Sequence, residues 1–85
     1  MNNKNIRIYV LDVPEFASLV AAARSNEKCH ISQAMPGYTL IESDDAIEFH
    51  RKELGLKPAV WYGLFTGGLQ GRIEKFDRDS VRIVK

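Results

Sequence analysis

Cys29 is the only cysteine among 85 residues, so no disulfide can close within the chain, and a 45% apolar content must hold the fold together. A lone thiol also fits a reducing cytoplasm. No apolar run approaches the roughly 18 residues that span a bilayer. Residues 1–5 lead into a strand pattern broken by Arg7 and Asp12, not into an apolar core of roughly 7 to 15 residues, so no secretory signal is expected. Charge of one sign is missing too. Twelve basic residues face 11 acidic ones, for a net charge of +1, which removes the long-range field of a dedicated nucleic-acid or membrane-surface binder. Repeats, linkers and low-complexity segments are absent. A single small domain of residues 1–85 is expected, soluble and cytoplasmic, with little interior for a deep pocket, because chains of this size bury only about 60 to 65% of their unfolded surface.

What is present is alternation. In residues 6–13, Ile6, Ile8 and Val10 share one face and Arg7, Tyr9 and Leu11 the other, the pattern of a first strand. Asp12, Pro14 and Glu15 form a helix start, with an Asp cap, Glu three residues on, and proline in the first turn. Phe16, Leu19, Val20 and Ala23 then follow at i, i+3, i+4 and i+7, which predicts an amphipathic helix ending near Ser25 and Asn26. Residues 28–34 read as a second strand, with Cys29, Ile31 and Gln33 opposite His30, Ser32 and Ala34. The Pro36-Gly37 turn predicts its pairing with residues 38–42.

In residues 38–51, Tyr38, Leu40, Ile41, Ile47 and Phe49 flank the tetrad Glu42, Ser43, Asp44 and Asp45. Spacing of two around turn formers predicts a β-hairpin in which residues near Leu40 pair with residues near Phe49. A helix over residues 45–54, capped by Asp44 or Asp45 and ended by Gly55, competes with it. At roughly 100° per residue, however, Phe49 would sit about 200° from Ile47, away from the Ile47/Leu54 stripe. Gly55 to Pro58 breaks the chain. Val60, Trp61, Leu64 and Phe65 fit a short helix started by Pro58 and stopped by Gly67-Gly68, or equally a buried strand; the helix is preferred, although Gly63 weakens it by about 1 kcal/mol. Residues 69–76 and 80–85 predict a terminal hairpin around Asp77, Arg78 and Asp79. The expected fold is α+β, in the order β-α-β-β-β-α-β-β, with two helices on a mostly antiparallel sheet.

Reaction chemistry is hard to assemble from these residues. Cys29 and His30 are adjacent on a strand and point to opposite faces, so they cannot act as nucleophile and base. His30, His50, Asp44 and Asp45 are the plausible metal ligands, without C-x-x-C or H-x-x-x-H spacing. Cys29 and both histidines are therefore expected to be dispensable. Gly63, Gly67, Gly68 and Gly71 fit neither a phosphate-binding loop nor a dinucleotide fingerprint and read as a helix end and a bulge or close backbone approach. In the terminal hairpin, Arg72, Lys75, Arg78, Arg82 and Lys85 are interleaved with Glu74, Asp77 and Asp79. The run from Gly71 to Asp77 is similar to a strand and turn of Sm-like RNA-binding proteins, but a solvated, mixed-charge hairpin accounts for it better.

The helix over residues 16–24, the run Pro36-Gly37-Tyr38-Thr39-Leu40-Ile41-Glu42, the strand over residues 46–52, the break Leu54-Gly55-Leu56-Lys57-Pro58, and the closing segment from Gly71-Arg72-Ile73 through the acidic turn to Val81-Arg82-Ile83-Val84 span nearly the whole chain. In that order they resemble the small regulatory proteins, also called effector or coupling proteins, of bacterial multicomponent monooxygenases of the phenol hydroxylase, toluene and methane monooxygenase type. The chain departs from that pattern where a helix before the Leu-Gly break is cut to Lys52-Glu53, and where Trp61 and Tyr62 make the next segment more aromatic. The resemblance implies a non-enzymatic protein without metal or cofactor that docks on the di-iron oxygenase component and tunes substrate access and coupling. Arg51, Trp61, Tyr62 and Phe65 are the candidate contacts, since aromatics and arginine dominate interface energetics. At helical spacing Trp61 and Phe65 also fit a core face, which leaves Tyr62 and Arg51 as the surface candidates. A nucleic-acid module, a stand-alone enzyme and a generic protein-interaction module are the rival readings.

Overall fold

The computed structural model describes residues 6–85, apart from the side chain of Ala34; the expectation about a leader in residues 1–5 lies outside them. The chain folds as an α+β structure of two antiparallel sheets. β1 (Ile6–Leu11) is followed by a 3-10 turn (Pro14–Phe16), α1 (Ala17–Arg24), β2 (Cys29–Met35), β3 (Tyr38–Ser43), β4 (Ile47–His50), α2 (Arg51–Leu54), α3 (Pro58–Tyr62), β5 (Leu69–Gln70), β6 (Arg72–Phe76) and β7 (Ser80–Val84). The first sheet has the order β2-β3-β1-β5 and the second β4-β7-β6.

The alternation in β1 works as read: Ile6, Ile8 and Val10 are fully buried and meet Phe16, Leu19 and Ala23 from the helical side. The helix starts differently from expectation. Val13, not Asp12, occupies the cap position, without a side-chain hydrogen bond, and Pro14 opens a 3-10 turn that leads into α1. Val20 is only half-buried, at the flank of the core stripe. The Pro36-Gly37 turn joins β2 to β3 as expected, with Ile31 opposite Ile41.

Three further expectations are corrected. The hairpin between residues 38–43 and 47–51 does not form, because β3 is already flanked by β2 on one side and β1 on the other. Phe49 instead aligns with Val81, and β4 pairs with β7 in the second sheet. The polar tetrad is a corner between the sheets: the Ser43 hydroxyl donates to the Asp45 carbonyl at 2.9 Å and accepts from its N–H at 3.1 Å. Helix appears only after His50, as α2, and Gly55 caps it in the left-handed region at φ 68°. Next, α3 stops at Gly63 and not at Gly67-Gly68; single turns carry the chain onward, with the N–H of Gly63, Leu64 and Thr66 donating to carbonyls three residues back. Finally, residues 69–76 are two strands rather than one. Gly71, at φ 135°, hands the chain from β5, which pairs with β1, to β6, which pairs with β7. A Cβ there would press on Ile83 and the Val84 carbonyl, so the close approach expected of these glycines is real. The core is shared: Ile47, Phe49, Val81 and Ile83 of the second sheet join Ile6, Ile8 and Ile41 of the first around Trp61 and Leu64.

Candidate docking surfaces

Trp61 and Arg51 turn inward and are removed from the candidate contacts. Trp61 is fully buried, and its indole Nε1–H donates to the Asp77 carbonyl at 2.6 Å. The Arg51 side chain is 14% exposed. Its Nε donates to the Arg78 carbonyl at 2.6 Å, its Nη1 to the Leu56 carbonyl at 3.0 Å, and its backbone N–H to the Asp79 carbonyl at 2.9 Å. These two residues therefore hold the backbone of the acidic closing turn, carbonyl by carbonyl. A planar guanidinium with several donors suits that task, because one side chain can bond carbonyls of two segments at once, Arg78 and Leu56. The turn completes itself through Asp77, whose Oδ1 accepts from the N–H of Asp79 and of Ser80, each at 2.9 Å. Those hydrogen bonds, Ser80 first, hold the Asp77 carboxyl below its ordinary range, and Lys75 adds to the effect.

Phe65 is half-buried and Tyr62 is 55% exposed. Both rings pack on Phe76, with centroids 5.3 and 5.7 Å away, and Trp61 meets the same ring edge-on at 5.8 Å. Of the four expected contacts, Tyr62 alone presents most of a large side chain to solvent.

The sequence reading passed over the outer face of the four-stranded sheet. Strand register aligns Met35, Tyr38 and Leu11 in one row, Ser32, Leu40 and Tyr9 in the next, and His30, Glu42 and Arg7 in the third. In β1 and β3 these residues alternate with the buried Ile6, Ile8, Val10, Ile41 and Ser43 and so point away from the core, and register sets Ser32, His30 and Met35 of β2 beside them. Leu11 and Met35 are exposed, and Tyr9, Tyr38 and Leu40 half-buried. Arg7 Nε lies 3.1 Å from Glu42 Oε2, an ion pair whose angle does not make a hydrogen bond. The Gly67-Gly68 loop borders this face. The Tyr9 N–H donates to the Gly68 carbonyl at 3.0 Å, and a Cβ on Gly67 would fall inside the Tyr9 carbonyl oxygen. Apolar residues on both faces of β1, Tyr9 and Leu11 as well as Ile8 and Val10, were the signal that could have found it.

The outer face of the second sheet is different in kind. Arg82 Nε donates to Glu74 Oε1 at 2.8 Å and its Nη1 to Glu48 Oε1 at 3.3 Å, while Glu48 Oε2 lies 2.9 Å from His50 Nε2. Lys75 lies 3.7 Å from Asp77 and Arg78 3.9 Å from Asp79, so most of the basic cluster is matched by its own acids. Such pairing leaves little field for a phosphate backbone.

Cys29 and His30 align with Ser43 and Glu42 respectively, on opposite faces of β2. Burial pushes the Cys29 thiol up, away from the nucleophilic thiolate. His30 belongs to the outer face of the first sheet and His50 to that of the second, and Asp45 faces Lys28 at 3.7 Å. No group of three or more candidate metal ligands occurs among the described residues. No helix among the described residues is long and apolar enough to cross a membrane. No protein-family model matches the chain, and no curated protein does.

Proposed function

We propose that this protein is a non-catalytic effector that docks on the oxygenase component of a bacterial multicomponent di-iron monooxygenase, and that it docks through the outer face of the four-stranded sheet. The observation that carries the docking reading is the ladder of Tyr9, Leu11, Met35, Tyr38 and Leu40, held on rigid strands and edged by Arg7, Glu42 and His30. Aromatic and Met side chains at the centre with charges at the rim are the composition of a protein interface. A patch of this kind can supply part of a standard interface of about 800 Å² per partner. The choice of oxygenase comes from the resemblance in element order. Tyr62, exposed and packed on Phe76, is a second, peripheral contact.

An effector of this kind acts by population shift. Binding one oxygenase conformation better than another favours it by the difference in affinity and no more. Chemistry stays with the partner. Added to the oxygenase and its reductase, the protein should raise product formed per reductant consumed, with an optimum near one protein per active site. Unchanged coupling, turnover and binding across that titration would overturn the oxygenase as partner and leave the docking face to another protein.

A further inference from the structure

We propose that the free edge of β2, with the groove between β2 and α1, is a strand-addition site for an extended segment of another protein. That segment would carry apolar side chains at alternate positions, a cation near its N-terminal end and a carboxylate near its C-terminal end. This site uses an edge and not the open sheet face, so it stands whether or not the protein is an oxygenase effector.

The edges of the two sheets are not alike. β5 is two residues long, β4 carries Glu48 and His50, and β6 carries Arg72, Glu74 and Lys75. Short or charged edges resist pairing with other chains. β2 has seven residues, is regular from Cys29 to Gln33 before a bulge, and has only Cys29 and His30 as ionisable groups. Among the described residues it pairs on one side only, with β3. Apart from the Cys29 N–H, which donates to the Asn26 carbonyl, its outer N–H and C=O groups are therefore available to an added strand.

Beside that edge lies a groove of about 700 Å³, with Phe16, Val20, Ile31 and Thr39 in its walls. Ile31 and Gln33 align with Ile41 and Thr39 on the helix-covered face. Alternate residues of an added strand would fall on that same face and enter the groove. The groove also has polarity. Arg24 ends α1, one short turn before Cys29, while the Asp12 N–H donates to the Gly37 carbonyl just past the other end of β2. Neither charge has an ion-pair partner among the described residues. An antiparallel strand, the more stable pairing, would begin beside Asp12 and end beside Arg24. A second copy is the poorer occupant, since a two-fold axis would set this concavity against its own like, with no protrusion to fill either.

The test uses the full chain and two end-blocked heptapeptides of the same composition. The first reads lysine, valine, threonine, valine, threonine, valine, aspartate; the second is its exact reverse. Amide NMR titration should show the first binding about tenfold more tightly than the second, with shifts confined to β2 and the groove side of α1. Asp12→Lys with Arg24→Glu, both at exposed positions, should reverse the preference, and proline at the peptide's centre should abolish binding. Equal affinity for the two peptides, no binding up to about 2 mM, or shifts centred elsewhere would overturn the proposal. So would β2 signals that move with protein concentration alone, the mark of a second copy.

Discussion

The two sheets share one core and treat solvent in opposite ways. On the second sheet every outward charge near the centre has a neighbour, with Arg82 between Glu74 and Glu48 and His50 beside Glu48. On the first, the outward rows are Met35-Tyr38-Leu11 and Ser32-Leu40-Tyr9, and the ion pair of Arg7 with Glu42 closes one end. Cross-strand pairs stabilise a sheet by modest amounts whatever their chemistry. The difference is therefore better understood as a difference in use. One face is finished for water, and the other keeps apolar area whose burial would release about 25 cal/mol for each Å² covered.

The largest expected effect lies under the finished sheet. Trp61→Ala should cost about 3 to 5 kcal/mol, from the cavity and from the orphaned Asp77 carbonyl. A chain of this length has only about 4 to 13 kcal/mol in all, so denaturant melts should show a variant that is marginal or partly unfolded. Retention of near-wild-type stability would mean that the closing turn does not depend on the indole. Smaller effects separate the outer faces. Tyr9→Ala with Leu40→Ala should lower stability by only about 1 to 2 kcal/mol while weakening the partner complex by about 2 to 4 kcal/mol. Arg82→Ala, on a half-exposed ion pair, should change stability by less than about 1 kcal/mol and leave the partner's affinity alone. Equal sensitivity of the complex to both changes would erase the contrast between the faces.

The smallest effect is one of pH. Asp77 has its folded value lowered from 3.8 by the Ser80 and Asp79 N–H groups. In that window the unfolded chain binds more protons than the folded one, so stability rises with pH. The contribution is complete above the ordinary value and is lost as pH falls through the depressed one. Asp77→Ala should lower the neutral plateau of a stability-against-pH curve and so flatten its acid limb, because the contribution it removes is present at neutral pH and already lost in acid. An unchanged acid limb would show that the turn does not depend on the ionised carboxylate.

Local pattern alone determined most elements here. Alternation in residues 6–11, the i, i+3, i+7 series of Phe16, Leu19 and Ala23, and the turns at Pro36-Gly37 and Asp77–Asp79 each act within a few residues, where side-chain period and turn chemistry decide the outcome. The helical reading of residues 58–62 and the glycine approach at Gly71 were legible for the same reason. Which strands would pair was not. Period two says that residues 38–43 and 47–50 are strands, and says nothing of whether β4 turns back on β3 or crosses to β7, because that choice depends on edges occupied by residues far away in the chain. Arg51, read as a surface candidate, is mostly covered, and Trp61, read as either contact or core, is core: a guanidinium and an indole look alike in sequence whether they meet a partner or the backbone of a turn folded over them. Only the tertiary structure showed that the carbonyls of Asp77, Arg78 and Asp79 lie within their reach. It also showed that Tyr9, Tyr38 and Leu40, scattered in sequence, form one continuous face, since strand register brings residues from different strands within reach of each other.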